Sequence, residues 1–100
     1  MSKQLNTGFG SLEGRTFILG REGHILIDDP AVSKHHAEIK VVNGRSHLRD
    51  LGSTNGVYLV ENNKAVRFRE GYVEPNQTVA LGNQRHKVIQ LLAIAGNFSK

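Results

Sequence analysis

The sequence contains no cysteine and no tryptophan. Without cysteine there are no disulfides and no thiolate metal sites, a composition that suits a reducing compartment. The longest apolar run, Val88 to Ala95, is interrupted by Gln90 and is far too short to span a bilayer. Met1 to Gly10 lacks the apolar stretch a secretory signal needs. Together these absences lead us to expect a cytoplasmic protein. There is no internal repeat, no low-complexity tract and no long Lys/Arg block; Arg67 and Arg69 flank Phe68, and Arg85, His86 and Lys87 are adjacent. No segment carries an apolar period of 3.6 over a dozen residues, so long amphipathic helices are not expected.

What is present fits one small domain. The chain has 100 residues, of which 38% are hydrophobic and 22% charged, enough for one modest core. The organisation expected is a polar, Gly-rich flexible arm over 1–11, a folded domain over 12–95 and a short tail over 96–100. The formal net charge of +4 favours anionic partners.

Short β-like runs follow one another, separated by Gly, Asn, Asp and Pro. Thr16–Leu19 is β-branched and apolar. His24–Ile27 follows and is stopped by Asp28-Asp29-Pro30, where Pro30 lacks a donor and disfavours helix at Asp29. Ala37–Val42 alternates apolar and charged residues, the pattern of a half-buried strand. Asn43-Gly44 then separates it from Arg45–Leu51, a hairpin signal because a type I′ turn needs positive φ at both central residues. Val57–Val60, Ala65–Phe68, Gly71–Val73, Thr78–Leu81 and His86–Leu92 continue the series. Val88–Leu92 is apolar on both faces apart from Gln90, which reads as a strand inside a packed sheet. Short strands at regular spacing predict an all-β fold, a sandwich or barrel of mostly antiparallel strands.

Three clusters in the connections carry chemistry. They are Gly20-Arg21; Ser33-Lys34-His35-His36; and Ser53-Thr54-Asn55-Gly56, just after Asp50-Leu51-Gly52. Each alone is an ordinary turn with a solvated cation or hydroxyl. Their order and spacing resemble the forkhead-associated (FHA) domain family, whose pattern is Gly-Arg, then Ser-x-x-His, then Asn-Gly. The resemblance runs from about residue 15 to residue 92. It implies a two-sheet β-sandwich that binds phosphothreonine peptides through loops at one end, with no cofactor and no catalysis. It further implies that Arg21 contacts the phosphate, Ser33 and Thr54 supply donors, Asn55 bonds the peptide main chain, and Lys34 faces the peptide or phosphate. His36 would support the loops, and Gly20 and Gly56 would permit tight turns. The expected partner is a phosphothreonine-containing protein, a Ser/Thr kinase or its substrate, rather than nucleic acid or membrane.

Elementary chemistry agrees. A phosphate monoester offers three strong acceptor oxygens and close to two negative charges. One permanent guanidinium with two donors of other geometry matches it. The sequence departs from the family at Val57, where Thr is frequent, and at Glu61–Lys64, where Asn-Gly is common. Ala31 offers no charge to a peptide side chain three positions beyond the phosphothreonine, so no strong demand for an acidic residue there is expected. Thr7 in the arm is a possible internal ligand, although an inert arm is the simpler reading.

His35 and His36 would point to opposite faces of a strand and could not chelate one ion. Asp28-Asp29 before Pro30 are turn formers rather than paired catalytic carboxylates. Asp50 reads as a loop acceptor. Ser33 with His36 has no Gly-x-Ser-x-Gly context or orienting acid. The same scaffold could bind partners without phosphate. A basic nucleic-acid-binding β domain would need aromatics interleaved with cations on an exposed face, and Phe68 between Arg67 and Arg69 is the place in the sequence that resembles this.

Overall fold

The computed structural model describes residues 12–97. The expected arm over 1–11, with Thr7, and the last residues of the tail lie outside the described residues. The strands are β1 (Thr16–Gly20), β2 (Ile25–Leu26), β3 (Ala37–Val42), β4 (Arg45–Asp50), β5 (Val57–Glu61), β6 (Lys64–Arg67), β7 (Glu70–Val73), β8 (Thr78–Leu81) and β9 (Gln84–Lys87), followed by helix α1 (Val88–Gly96). They form a five-stranded sheet, β2-β1-β3-β4-β7, and a four-stranded sheet, β6-β5-β8-β9. Every pairing is antiparallel except β1 with β2. The fold is the two-sheet β-sandwich expected.

Period-2 alternation builds the core. In β3, Ala37, Ile39 and Val41 are buried while Lys40 is exposed. Ile39 sits opposite Phe17 on β1 and Leu48 on β4, all three buried. From the other sheet Val57, Val79 and Leu81 close onto them. Each fully buried side chain of this kind contributes roughly 1.5–3 kcal/mol. Asn43 and Gly44 have φ of 52° and 75°, the double positive φ that sets the β3–β4 register. The carboxylate of Glu13 accepts both of their N–H groups. The β5–β6 turn uses Asn62 and Asn63 at φ 51° and 65°, so the same geometry is reached with two asparagines instead of Asn-Gly.

The end of the chain corrects one expectation. His86 and Lys87 do end a strand, but Val88–Gly96 is helical. Val88, Leu91, Leu92 and Ala95 are buried, a spacing of i, i+3, i+4, i+7. The apolar run is therefore one helical stripe plus exposed Ile89 and Ile94, not a strand buried on both faces. The start of α1 is held by tertiary partners: the N–H groups of Val88 and Ile89 donate to the carbonyls of Gln77 and Pro75, at 2.9 Å each, and the Gln90 side chain accepts from Lys87 N–H at 2.9 Å. These satisfy donors that a helix N-terminus leaves open. Among the described residues no helix is long and apolar enough to cross a membrane.

Candidate functional site

The connections β1–β2, β2–β3 and β4–β5 meet at one end of the sandwich. There Arg21, Pro30, Ala31, Val32, Ser33, Thr54 and Asn55 line a concavity of about 150 Å³. Four of the residues singled out in the sequence, Arg21, Ser33, Thr54 and Asn55, thus share one depression, although the sequence separates the first from the last by more than thirty positions.

The depression is cross-tied. Arg21 Nε donates to the Val32 carbonyl at 2.6 Å, which restrains the guanidinium plane at the wall of the depression. The Thr54 N–H donates to Ser33 Oγ at 3.2 Å, leaving the Ser33 hydroxyl proton to be donated outward. Asn55 Nδ2 donates to the Ala31 carbonyl at 2.7 Å, so its amide oxygen and second N–H remain available. Backbone bonds from Arg21 N–H to the Ser33 carbonyl and from Glu22 N–H to the Lys34 carbonyl, at 3.2 and 3.0 Å, hold the first two loops side by side. Lys34 does not line the depression; its Nζ lies 3.8 Å from a Glu22 carboxylate oxygen, with both side chains largely exposed.

His36 lies beneath, fully buried. Its Nδ1 accepts the Ser33 N–H at 2.9 Å, so the ring proton sits on Nε2, which donates to the Gly56 carbonyl at 2.8 Å. One imidazole thereby joins the Ser33 loop to the Asn55-Gly56 loop. Gly56 has a φ of +83°, which favours glycine; a Cβ on it would come within 2.7 Å of the Arg67 guanidinium, which would have to move aside. At Gly20 the cause differs from the turn expected in the sequence. Its φ is not positive, but a Cβ there would lie 2.1 Å from the Lys34 carbonyl oxygen, so it is close backbone approach that demands glycine.

Two carboxylates support the loops. Asp29 is buried and accepts the Ala31 N–H at 2.8 Å and the Asn83 N–H at 3.0 Å. The Ala31 N–H, against the opposing effect of burial and with help from Asn83, holds the Asp29 carboxyl below the ordinary carboxylate value. For Asp50 burial pushes upward. The Ser53 hydrogen bonds and the Arg67 guanidinium outweigh it and keep this carboxyl low as well. Ser53 Oγ in turn accepts the Gly56 N–H at 3.0 Å. Asn83 and Arg67 were missed in the sequence. Their contacts bridge segments 54 and 17 residues apart in the chain, and no local motif announces them.

The FHA domain family model matches residues 14–82. A curated relative from Corynebacterium efficiens, named oxoglutarate dehydrogenase inhibitor, is 40% identical over 50 residues, which is 48% of this chain and 35% of that protein; the match thus spans about a third of the relative's length. Among solved structures, the FhaA FHA domain complexed with the intracellular domain of another protein is 29% identical, with a TM-score of 0.63 over 85% of this chain and 84% of that one. A chain from a study of phosphothreonine-dependent FHA domain interactions is also 29% identical, with a TM-score of 0.62 over 70% of this chain and 71% of that one. The sandwich, the converging loops and the matched model lead to one statement: the chain belongs to the FHA domain family.

Proposed function

We propose that this chain is a non-catalytic module that binds phosphothreonine-containing segments of protein partners in Ser/Thr-kinase signalling, with the phosphate seated between Arg21, Ser33 and Thr54 and the peptide main chain on Asn55. The observation that carries the reading is the single concavity lined by those four residues. Arg21 supplies the fixed positive charge, and its Nε bond to Val32 orients it in advance. Membership of a family with phosphothreonine-dependent relatives supports the ligand class. Lys34, paired with Glu22, would have to leave that partner to reach the peptide.

Each hydrogen bond to a charged group contributes roughly 1.5–3 kcal/mol. Three or four of them, less the ordering cost of a flexible peptide, correspond to binding of about micromolar strength. The test is fluorescence polarisation with a phosphothreonine peptide library, with phosphoserine and unphosphorylated controls. Arg21→Ala should weaken binding by about a hundredfold or more, the loss of about two charge-assisted bonds, while thermal unfolding is little changed. Normal affinity in that variant, or equal binding of unphosphorylated peptide, would overturn the reading and favour a phosphate-independent interaction module.

A further inference from the structure

The two outer faces of the sandwich differ in how their charges are matched. On the five-stranded sheet, Glu38 pairs with Arg49 at 3.4 Å and Glu70 lies 3.6 Å from His47. The four-stranded sheet is different. Val57, Val79 and Leu81 point into the core, so the alternate positions face out. The strand register arranges those positions in two cross-strand rows. Arg67, Tyr58, Ala80 and Arg85 form one, and Ala65, Val60, Thr78 and Lys87 form the next. Neither row contains Asp or Glu. Arg67 reaches Asp50 at 3.5 Å, and its guanidinium stands over the Tyr58 ring at 5.8 Å. Arg85 and Lys87 are exposed and have no acidic partner among the described residues. Glu61, at the end of β5, is engaged by the Gln77 amide at 3.3 Å.

This face is also shaped. Between Tyr58 and Arg85 lies a depression of about 340 Å³. It exists because Ala65, Ala80 and Gly82, which line it, have little or no side chain to fill it. It shares no lining residue with the phosphate concavity. Arg85 offers it a planar guanidinium, the group best suited to pair a carboxylate with two hydrogen bonds. Lys87 is the next outward position of β9, about 7 Å along the strand. An extended segment with carboxylates at alternate positions repeats that spacing, so it can meet both cations at once. A nucleic acid would need an open aromatic platform, whereas Tyr58 is half-buried and covered by Arg67. A lipid surface would need large apolar side chains standing out of the face, and the rows hold no Leu, Ile, Phe or Trp.

We propose that the outer face of the four-stranded sheet docks an extended acidic segment of a protein partner, with one carboxylate seated in the depression against Arg85 and the next paired with Lys87. This surface is separate from the phosphate concavity and requires no phosphorylation.

The test uses the full chain and a short unphosphorylated peptide of alternating Asp and Thr, at about 20 mM salt, where exposed charges are weakly screened. Nuclear magnetic resonance shift mapping should place the perturbed amides on β5, β8 and β9, around Tyr58, Ala80 and Arg85. A peptide of alternating Lys and Thr should not bind. Arg85→Ala together with Lys87→Ala should weaken the acidic peptide by about three- to tenfold, the loss of two exposed ion pairs. Both side chains are exposed, so the fold survives. Ala80→Leu fills the depression without changing charge and should weaken binding by a similar factor. Arg45→Glu, on the opposite sheet, should leave the perturbed residues unchanged. Shifts centred on the phosphate concavity or spread over both sheets overturn the proposal, as does unaltered affinity in the Arg85 and Lys87 variant or in Ala80→Leu. Tighter binding of a poly-thymidine oligonucleotide or of phosphatidylserine vesicles to the same amides overturns the assignment of the partner as an acidic protein segment.

Discussion

Replacing His36 by leucine removes both ring nitrogens while keeping a side chain of broadly similar bulk. The wild-type ring satisfies two backbone groups, the Ser33 N–H at 2.9 Å and the Gly56 carbonyl at 2.8 Å, and the ring is itself fully buried. Leaving a buried polar group unpaired costs about 1–3 kcal/mol each. Two such groups give about 2–6 kcal/mol, and the lower half is expected because both loops border solvent and can rehydrate in part. Against a total stability of roughly 5–15 kcal/mol, a loss of about 2–4 kcal/mol lowers the urea midpoint by about 1–2 M at the slopes usual for a domain this size. Equilibrium urea unfolding followed by far-ultraviolet circular dichroism reads the shift directly. Phosphopeptide affinity, measured well below the transition, should fall as well, because Ser33 and Asn55 lose their common anchor. A midpoint shift under about 0.3 M, or unchanged affinity at full folding, would refute the view that this imidazole holds the two loops in register.

Other expectations follow from the same bonds. Asp29 and Asp50 both titrate below the ordinary carboxylate value in the folded chain. Their contribution is therefore complete above about pH 5 and is lost progressively as pH falls further; urea midpoints at pH 7, 4 and 3 should decline in that order, and Asp50→Asn should make the decline shallower. Gly20→Ala should destabilise by about 3 kcal/mol or more, because its Cβ would lie 2.1 Å from backbone oxygen. Gly44→Ala, with open space around it but a φ of +75°, should cost only about 1 kcal/mol; equal costs in thermal unfolding would contradict the distinction. Leu91→Ala should cost about 2–5 kcal/mol as a core truncation, whereas Ile89→Ala, at an exposed position of the same helix, should cost under about 1 kcal/mol.

The sandwich was legible because alternation in Ala37–Val42 and the Asn43-Gly44 turn are local signals whose physics allows few alternatives. The last element was not. Val88–Leu92 taken alone suits a strand or a helix, and the deciding residue is Ala95, one helical period later, beyond the stretch that looked most strand-like. At the site, spacing was enough to bring out Arg21, Ser33, Thr54 and Asn55. Lys34 lies 3.8 Å from Glu22, across a pair of backbone hydrogen bonds, a tertiary arrangement no dipeptide reveals. Asp29 looked like a turn former, which it is through Ala31. Its second role, reaching Asn83 at a separation of 54 residues, depends on how the sheets stack. Glycine was recognised at position 20 for the wrong cause, because a sequence reports that a residue is small without saying what presses against it.

The link from Asp29 to Asn83 has an implication for how variation in this chain should be interpreted. The Gly82-Asn83 hairpin tip does not line the phosphate concavity, yet it packs against the back of the segment that does, at Ala31 and Val32. A Cβ on Gly82 would come within 2.8 Å of Val32, which lines that concavity. Substitutions at this distant tip should therefore alter ligand affinity without touching the ligand. They would resemble remote regulation while being nothing more than a shifted foundation.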